Sequence, residues 1–166
     1  MGTLSIVDLD RNALQTREGL TLDGGYTFAA SDLLADRWRE ETSSDFAGIA
    51  RLDDRGRLRW AGLSGSTSIR TAQLTFKGAR GEGFIATAIR SGRLTAYDAQ
   101  TTAGLASTVH SEPLLLSESL LAAMALPFLE RTGKLMGLLI VGRRGSVPYS
   151  ESEIANVLAS VCQNGL

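Results

Sequence analysis

The run Gly81-Glu82-Gly83-Phe84-Ile85-Ala86 has the spacing of a glycine turn that opens a helix. In such a G-x-G-x-x-A pattern, backbone amides and the helix dipole behind them can receive an anion. With Asp98 downstream in the position of a ribose-binding acid, the pattern imitates a dinucleotide site. Its surroundings argue against that chemistry. Leu74-Thr75-Phe76-Lys77 alternates, whereas the dinucleotide fold needs a strand buried on both faces. The apolar face of Phe84, Ile85, Ala88 and Ile89 stops at Ser91-Gly92, too soon for a full crossover helix. What survives is a helix start that favours an anion through uncharged backbone. Arg70, Lys77 and Arg80 surround it, either as a solvated loop or as balancing charge.

The other reactive side chains assemble no catalytic set. His110 and Cys162 are the sole histidine and cysteine, so one chain can build neither a disulfide framework nor a Cys/His zinc site. His110 has Ser107, Thr108 and Ser111 nearby but no strained nucleophile turn and no orienting acid, and reads as a loop histidine. Cys162 has no second thiol to resolve an oxidised sulfur. The expectation is a protein that is not an enzyme and uses no metal or cofactor. Trp60 carries two open readings: an aromatic filling the core under a sheet, or a flat pocket wall for a small planar anion. Arg51, Arg55, Arg57 and Arg59 crowd one hairpin, and Arg57 and Arg59 share a strand face, hinting at an acidic partner that Asp45, Asp53 and Asp54 dilute. No aromatic stacking series accompanies them, so nucleic acid is not expected.

Bulk properties agree. A chain of 166 residues, 43% hydrophobic and 21% charged, suits one globular domain with its own core. A formal charge of −1 supplies no field toward nucleic acid or an anionic bilayer. The longest apolar runs, Leu114 to Leu116 and Leu138 to Val141, are far short of a bilayer span. Met1 to Asp10 lacks the basic start and apolar stretch of a signal peptide, and with a single thiol the expected location is the cytoplasm.

The elements that must position these residues follow from periodicity. Residues 1–25 read as an N-terminal arm ending in the breaker Asp23-Gly24-Gly25, and residues 26–166 as the domain. Tyr26, Ala30, Leu34 and Trp38 recur at helical spacing, predicting a helix from Thr27 to Thr42. Phe46 to Leu52 and Leu58 to Ser64 predict a hairpin turning at Asp53-Asp54-Arg55-Gly56. A short helix from Phe84 to Arg90 and a strand from Leu94 to Tyr97 come next. Ala99 to Glu112 has no period and is long for a connection, as a binding lid would be. Ser117 is expected to cap a short helix through Ala122, and Ala123 to Glu130 and Lys134 to Gly142 to form paired strands, the second apolar on both faces and so central. Ser150 and Glu153 form a capping box for a last helix that gathers Ile154, Val157, Leu158 and Val161 on one face.

This order of elements resembles the GAF domain, a ligand-binding relative of PAS domains. The motifs carrying the resemblance are Gly81 to Ala86, Ser91-Gly92-Arg93-Leu94, Ala125-Leu126-Pro127-Phe128, Gly133 to Gly142 and Tyr149-Ser150-Glu151-Ser152-Glu153. It implies an α/β layered fold with a central antiparallel sheet flanked by helices, and it accounts for Pro127 within a strand. A narrower resemblance is to small stand-alone bacterial GAF proteins, among them a nitrate receptor working with an oxygen-sensing histidine kinase. It rests on Trp60, Gly83-Phe84, Pro113-Leu114 ahead of Glu118-Ser119-Leu120, and Gly142-Arg143-Arg144. It implies a ligand site of Trp60, Gly83, Phe84, Ile85, Glu112, Pro113 and Leu114. Where that family carries tyrosine before the proline, this chain has Glu112, which would repel nitrate. The resemblance further implies signal transduction through a partner such as a histidine kinase, and a homodimer. The alternative is a dimerisation module with a vestigial pocket, using the helices around Tyr26 to Trp38 and Ile154 to Val161. Neither the methionine sulfoxide reductase nor the bilin-binding GAF groups find their cysteines here.

Overall fold

The structure, a computed structural model, describes residues 28–76, 78–81, 83–101 and 112–164. The arm 1–25, Tyr26, Lys77, Glu82, His110 and most of the segment from Ala99 to Glu112 lie outside the described residues, as does the side chain of Cys162. Among the described residues five strands are formed: β1 Phe46–Leu52, β2 Leu58–Ser64, β3 Thr95–Asp98, β4 Ala122–Leu129 and β5 Leu135–Arg143. They make one antiparallel sheet in the order β2-β1-β5-β4-β3. The helices are α1 Phe28–Glu41, α2 Ile69–Ala72, α3 Phe84–Ser91, α4 Pro113–Ser117 and α5 Glu151–Asn164, with a 3-10 turn at Gly78–Arg80.

Strand β5 is central and apolar on both faces because both faces are covered. Ile49, Met124, Leu139 and Val141 pack against Ala35 and Trp38 of α1 and Val157 and Val161 of α5. On the other face Phe46, Ala125, Leu138 and Ile140 meet Phe84 and Ile85 of α3 and Leu114 and Leu115 of α4. Local chemistry sets the ends of these elements. The Asp53 carboxylate accepts the N–H groups of Arg55 and Arg57 at 2.9 and 2.8 Å, closing the first hairpin. Gly92 ends α3 in the left-handed region at φ 65°. The capping box closes in both directions, with Ser150 N–H to Glu153 Oε2 at 2.8 Å and Glu153 N–H to Ser150 Oγ at 3.2 Å. Pro127 lies beyond Ala125, where the pairing with β3 has already ended, so its missing N–H falls on an edge of β4 that β3 does not pair, although the residue itself is buried.

The helix expected from Ser117 to Ala122 does not form. Ser117 is instead the last residue of α4, which Pro113 opens at its first turn, and Ser119 at φ 54° turns the chain away into β4. Five residues are too few to show a helical period, whereas the fixed φ of Pro113 starts the turn earlier.

A register shift decides which way Trp60 faces. Ile49 pairs with Gly62 and Ala50 with Trp60, which leaves Ala61 as an extra residue in β2. Trp60 and Leu63 therefore both pack on the α3 side, while Gly62 is turned to α1. A Cβ on Gly62 would run into the Ser31 carbonyl of α1, which is backbone and cannot step aside. Gly62→Ala should thus destabilise the fold by about 1–3 kcal/mol, read by urea unfolding. The control Gly145→Ala, where an added Cβ meets nothing, should stay within about 0.5 kcal/mol of the parent.

Candidate functional site

The predicted helix start is a site of contact between two distant segments. Gly83, at φ 105°, caps α3 without a side chain of its own. Into that place comes the carboxylate of Glu112, the residue that leads into α4: its Oε1 accepts the Ile85 N–H at 3.1 Å. A Cβ on Gly83 would overlap the carboxyl group, with its Cγ only 2.7 Å away. The amide end of α3 therefore holds a carboxyl oxygen that belongs to the chain itself. Glu112 is 5% exposed, and no described residue forms an ion pair with it. Burial pushes its carboxyl up to about 7, opposed only in part by the Ile85 N–H.

The remaining residues of the predicted site lie on the same side of the sheet. Trp60, Phe84, Ile85 and Leu114 belong to one apolar cluster, with Leu114 wholly buried, while Pro113 is exposed at the start of α4. The Trp60 indole N–H donates to the Thr71 carbonyl at 2.7 Å, and its ring meets Phe76 and Phe46 edge-on at 5.0 and 6.0 Å. That ring lies across Gly48, where a Cβ would strike it. Half-buried and fixed at its nitrogen, Trp60 fits both readings, core aromatic and pocket wall. The structure thus brings Gly83, Ile85 and Glu112 into contact and gathers Trp60, Phe84 and Leu114 beside them. Arg57 and Arg59 instead turn to Asp53, at 3.4 and 2.9 Å, which accounts for their shared strand face within the hairpin.

Glu118 is a residue whose part the sequence did not disclose. Its side chain is 0% exposed. It accepts Ser66 Oγ at 2.5 Å, Thr67 N–H at 3.0 Å, the Thr71 hydroxyl, and Arg144 at 2.5 Å. Burial alone would raise its carboxyl, yet the bonds from Ser66, Thr71, Thr67 and Arg144 hold it down at about 2. Arg144 also reaches the carbonyls of Gly65 and Glu118, at 2.8 and 3.0 Å. Together they fasten the C-terminal end of α4 to the loop after β2 and to the end of β5, and so set where Glu112 stands. Glu118 and Arg144 both stand among the motif residues of the narrower resemblance, but nothing local tells that they pair, because the cationic partner lies 26 residues onward.

The two carboxyls have opposite linkage to pH. Folding raises Glu112 from 4.5 to about 7, so its neutral form is favoured and the stability it confers is present below its ordinary range and lost as pH climbs through 7. That difference is worth roughly 3 kcal/mol. Glu118 is lowered from 4.5 to about 2, so its contribution is present above its ordinary range and lost as pH falls. Urea unfolding should show stability declining between about pH 5 and 7.5. Glu112→Gln should flatten that decline while leaving the acid limb in place; a decline of equal size in the variant would assign it to other groups.

No family model matches the sequence, and no curated protein matches it. Solved structures do. The hypothetical protein SA1058 from S. aureus is 27% identical with a TM-score of 0.60, over 70% of this chain and 94% of that one. The NreA protein from Staphylococcus aureus, mutated in its nitrate binding site, is 26% identical with a TM-score of 0.62, over 74% of this chain and 89% of that one. The GAF domain of a phosphoenolpyruvate-protein phosphotransferase from Coxiella burnetii is 20% identical with a TM-score of 0.63, over 96% of this chain and 89% of that one. With a five-stranded antiparallel sheet, helices on both of its faces and these neighbours, the chain has the fold of a GAF domain.

Proposed function

We propose that the chain is a sensory GAF domain that binds a small molecule, nitrate or another small anion, at the start of α3, and that its occupancy is read by a signalling partner such as a histidine kinase. The observation that carries this reading is the Ile85 N–H bonded to a buried carboxylate. The likeness to NreA, a protein with a nitrate binding site, supports it. Trp60 and Leu114 would wall the site, with Gly83 leaving room for the ligand against the backbone. Glu112 occupies the donor that a free anion needs, so an incoming anion must find this carboxyl protonated or swung aside. The chain acts as a binder rather than an enzyme in this reading, and signals only as far as the ligand prefers one of two conformations. No helix among the described residues is long and apolar enough to cross a membrane, and the proposed setting is the cytoplasm.

The same carboxylate favours a second reading, an interaction module whose pocket is filled from within. In that case α1, with Leu33 exposed on its surface, would serve a homodimer. Thermal denaturation with nitrate, nitrite and chloride separates the two, since a ligand that binds only the folded protein raises the midpoint. Nitrate should stabilise Glu112→Gln at both pH 6 and pH 8, stabilise the parent more at about pH 6 than at pH 8, and lose its effect in Trp60→Ala. If no anion moves the midpoint of either the parent or Glu112→Gln, the interaction module stands and the anion site does not.

A further inference from the structure

The two hairpin turns of the sheet lie side by side. Strand β1 runs antiparallel to β5, with Arg51 opposite Gly137, so the turn that follows β1 and the turn that precedes β5 close the same end of the sheet. Their centres are two strand spacings apart, about 10 Å. The first hairpin carries Arg55, Arg57 and Arg59 and the second Arg131 and Lys134, all of them exposed. Arg51 stands directly opposite Arg59 in the register and adds to the same charge.

Few carboxylates answer these cations. Asp53 Oδ1 already accepts the N–H groups of Arg55 and Arg57, and its Oδ2 lies 3.4 and 2.9 Å from the Nε atoms of Arg57 and Arg59, so one charge serves two guanidinium groups. Asp54 and Glu130 are the other acids on these turns. Asp45, close to the hairpin in sequence, stands at the opposite end of β1, where it accepts the Arg144 N–H at 2.8 Å. Glu118 and Glu153 are paired with Arg144 and Arg143 at that same far end. The formal charge of −1 for the whole chain therefore conceals an end of the sheet where positive charge is in excess among the described residues. Between the two turns, on neighbouring strands, Leu52 and Leu135 are only half-buried.

The chemistry of the surface selects among anionic partners. Trp60 is pinned to Thr71 at its nitrogen and enclosed by Phe46 and Phe76, and Phe128 is buried, so neither ring offers a platform for a base. A continuous phosphate backbone would also be driven across Asp54 and Glu130. Carboxylates spaced along a peptide can meet the cations and pass between those acids.

We propose that the paired hairpin turns form a docking surface for an acidic segment of a partner protein, whose carboxylates straddle an apolar residue seated on Leu52 and Leu135. Carboxylates on one side of that residue meet Arg55, Arg57 and Arg59, and those on the other meet Lys134. An extended heptapeptide spans roughly 20 Å, enough to reach both turns. This surface is separate from the start of α3 and does not depend on an anion binding there.

The probe is a fluorescein-labelled heptapeptide with leucine at its centre and aspartate and glutamate on both sides, titrated with the full chain and followed by fluorescence anisotropy. Binding should saturate at about 50 mM salt and weaken at least about tenfold by about 300 mM, because exposed charge pairs are screened. The same peptide with lysine in place of every acid should not bind. Arg55→Glu and Lys134→Glu, each with a native circular dichroism spectrum, should each weaken binding at least about threefold, whereas Arg37→Glu, toward the other end of α1 and paired there with Glu41, should change it less than about twofold. Absence of saturation at low salt, an equal loss in Arg37→Glu, or unchanged binding in both Arg55→Glu and Lys134→Glu overturns the proposal. Tighter binding of a single-stranded oligothymidine of equal charge overturns it as well and assigns the surface to nucleic acid.

Discussion

The carboxylate of Glu118 is buried in the protein with an arginine and three hydroxyl-bearing residues around it, and the arrangement of the layer formed by α3 and α4 depends on it. Removing a charge from water is costly, and the cost is offset only where every lone pair finds a donor. Ser66, Thr67, Thr71 and Arg144 supply those donors from two separate segments. Helix α4 is only five residues long, far below the length at which a helix persists unaided. It keeps its place because Leu114 and Leu115 are buried at its core side and Glu118 is clamped at its end. The residue that leads into this helix is Glu112, so the carboxyl at the start of α3 is delivered there by the clamp at the other end of α4.

The pair shows how environment, not residue type, assigns chemistry. Two glutamates one short helix apart, both buried, end with carboxyl groups at about 7 and about 2. The difference is the number of donors: one backbone N–H for Glu112, and a hydroxyl-rich nest with a guanidinium for Glu118. A carboxyl poised near neutrality among partly apolar neighbours is the kind of group found at functional sites, whereas one fully satisfied by its neighbours is structural.

What could be read from the sequence follows the range over which each signal acts. The alternation of β1 and β2, the two-faced apolar run of β5, and the Ser150 and Glu153 box are local patterns, and each element appears where its pattern lies. The short helix α4 was misplaced because Pro113 and three leucines make no period. The anion-favouring start at Gly83 was visible as a glycine spacing, and Glu112 stood out as a carboxylate where the resemblance expected tyrosine. Their direct bond spans 27 positions and leaves no trace in either segment. Likewise nothing in β2 announces that Ala61 is the extra residue that turns Trp60 toward α3. That the Trp38 indole N–H has no acceptor among the described residues is invisible for a plainer reason: the helical stripe accounts for its indole as core and says nothing of its nitrogen.

Two consecutive arginines join the layers on the two faces of the sheet. Successive residues at a strand end project to opposite faces. Arg143 binds the carbonyls of Thr42 and Ser43 at the end of α1, pairs with Glu153 of α5 and stacks on Tyr149, with its guanidinium 4.1 Å from the ring centre. Arg144 binds Glu118 and the loop after β2. One peptide unit therefore connects the clamp that holds α4 to the clamp that holds α1 and α5 together. A displacement of α4 that moved Glu118 would pull on Arg144, and the neighbouring Arg143 could follow only by releasing bonds to three other segments. Because protein interiors are packed too tightly to deform smoothly, such a junction moves between discrete arrangements or stays still. The proposed ligand at the start of α3 would thus reach α5 without a long relay of side chains, through the backbone at the end of the central strand.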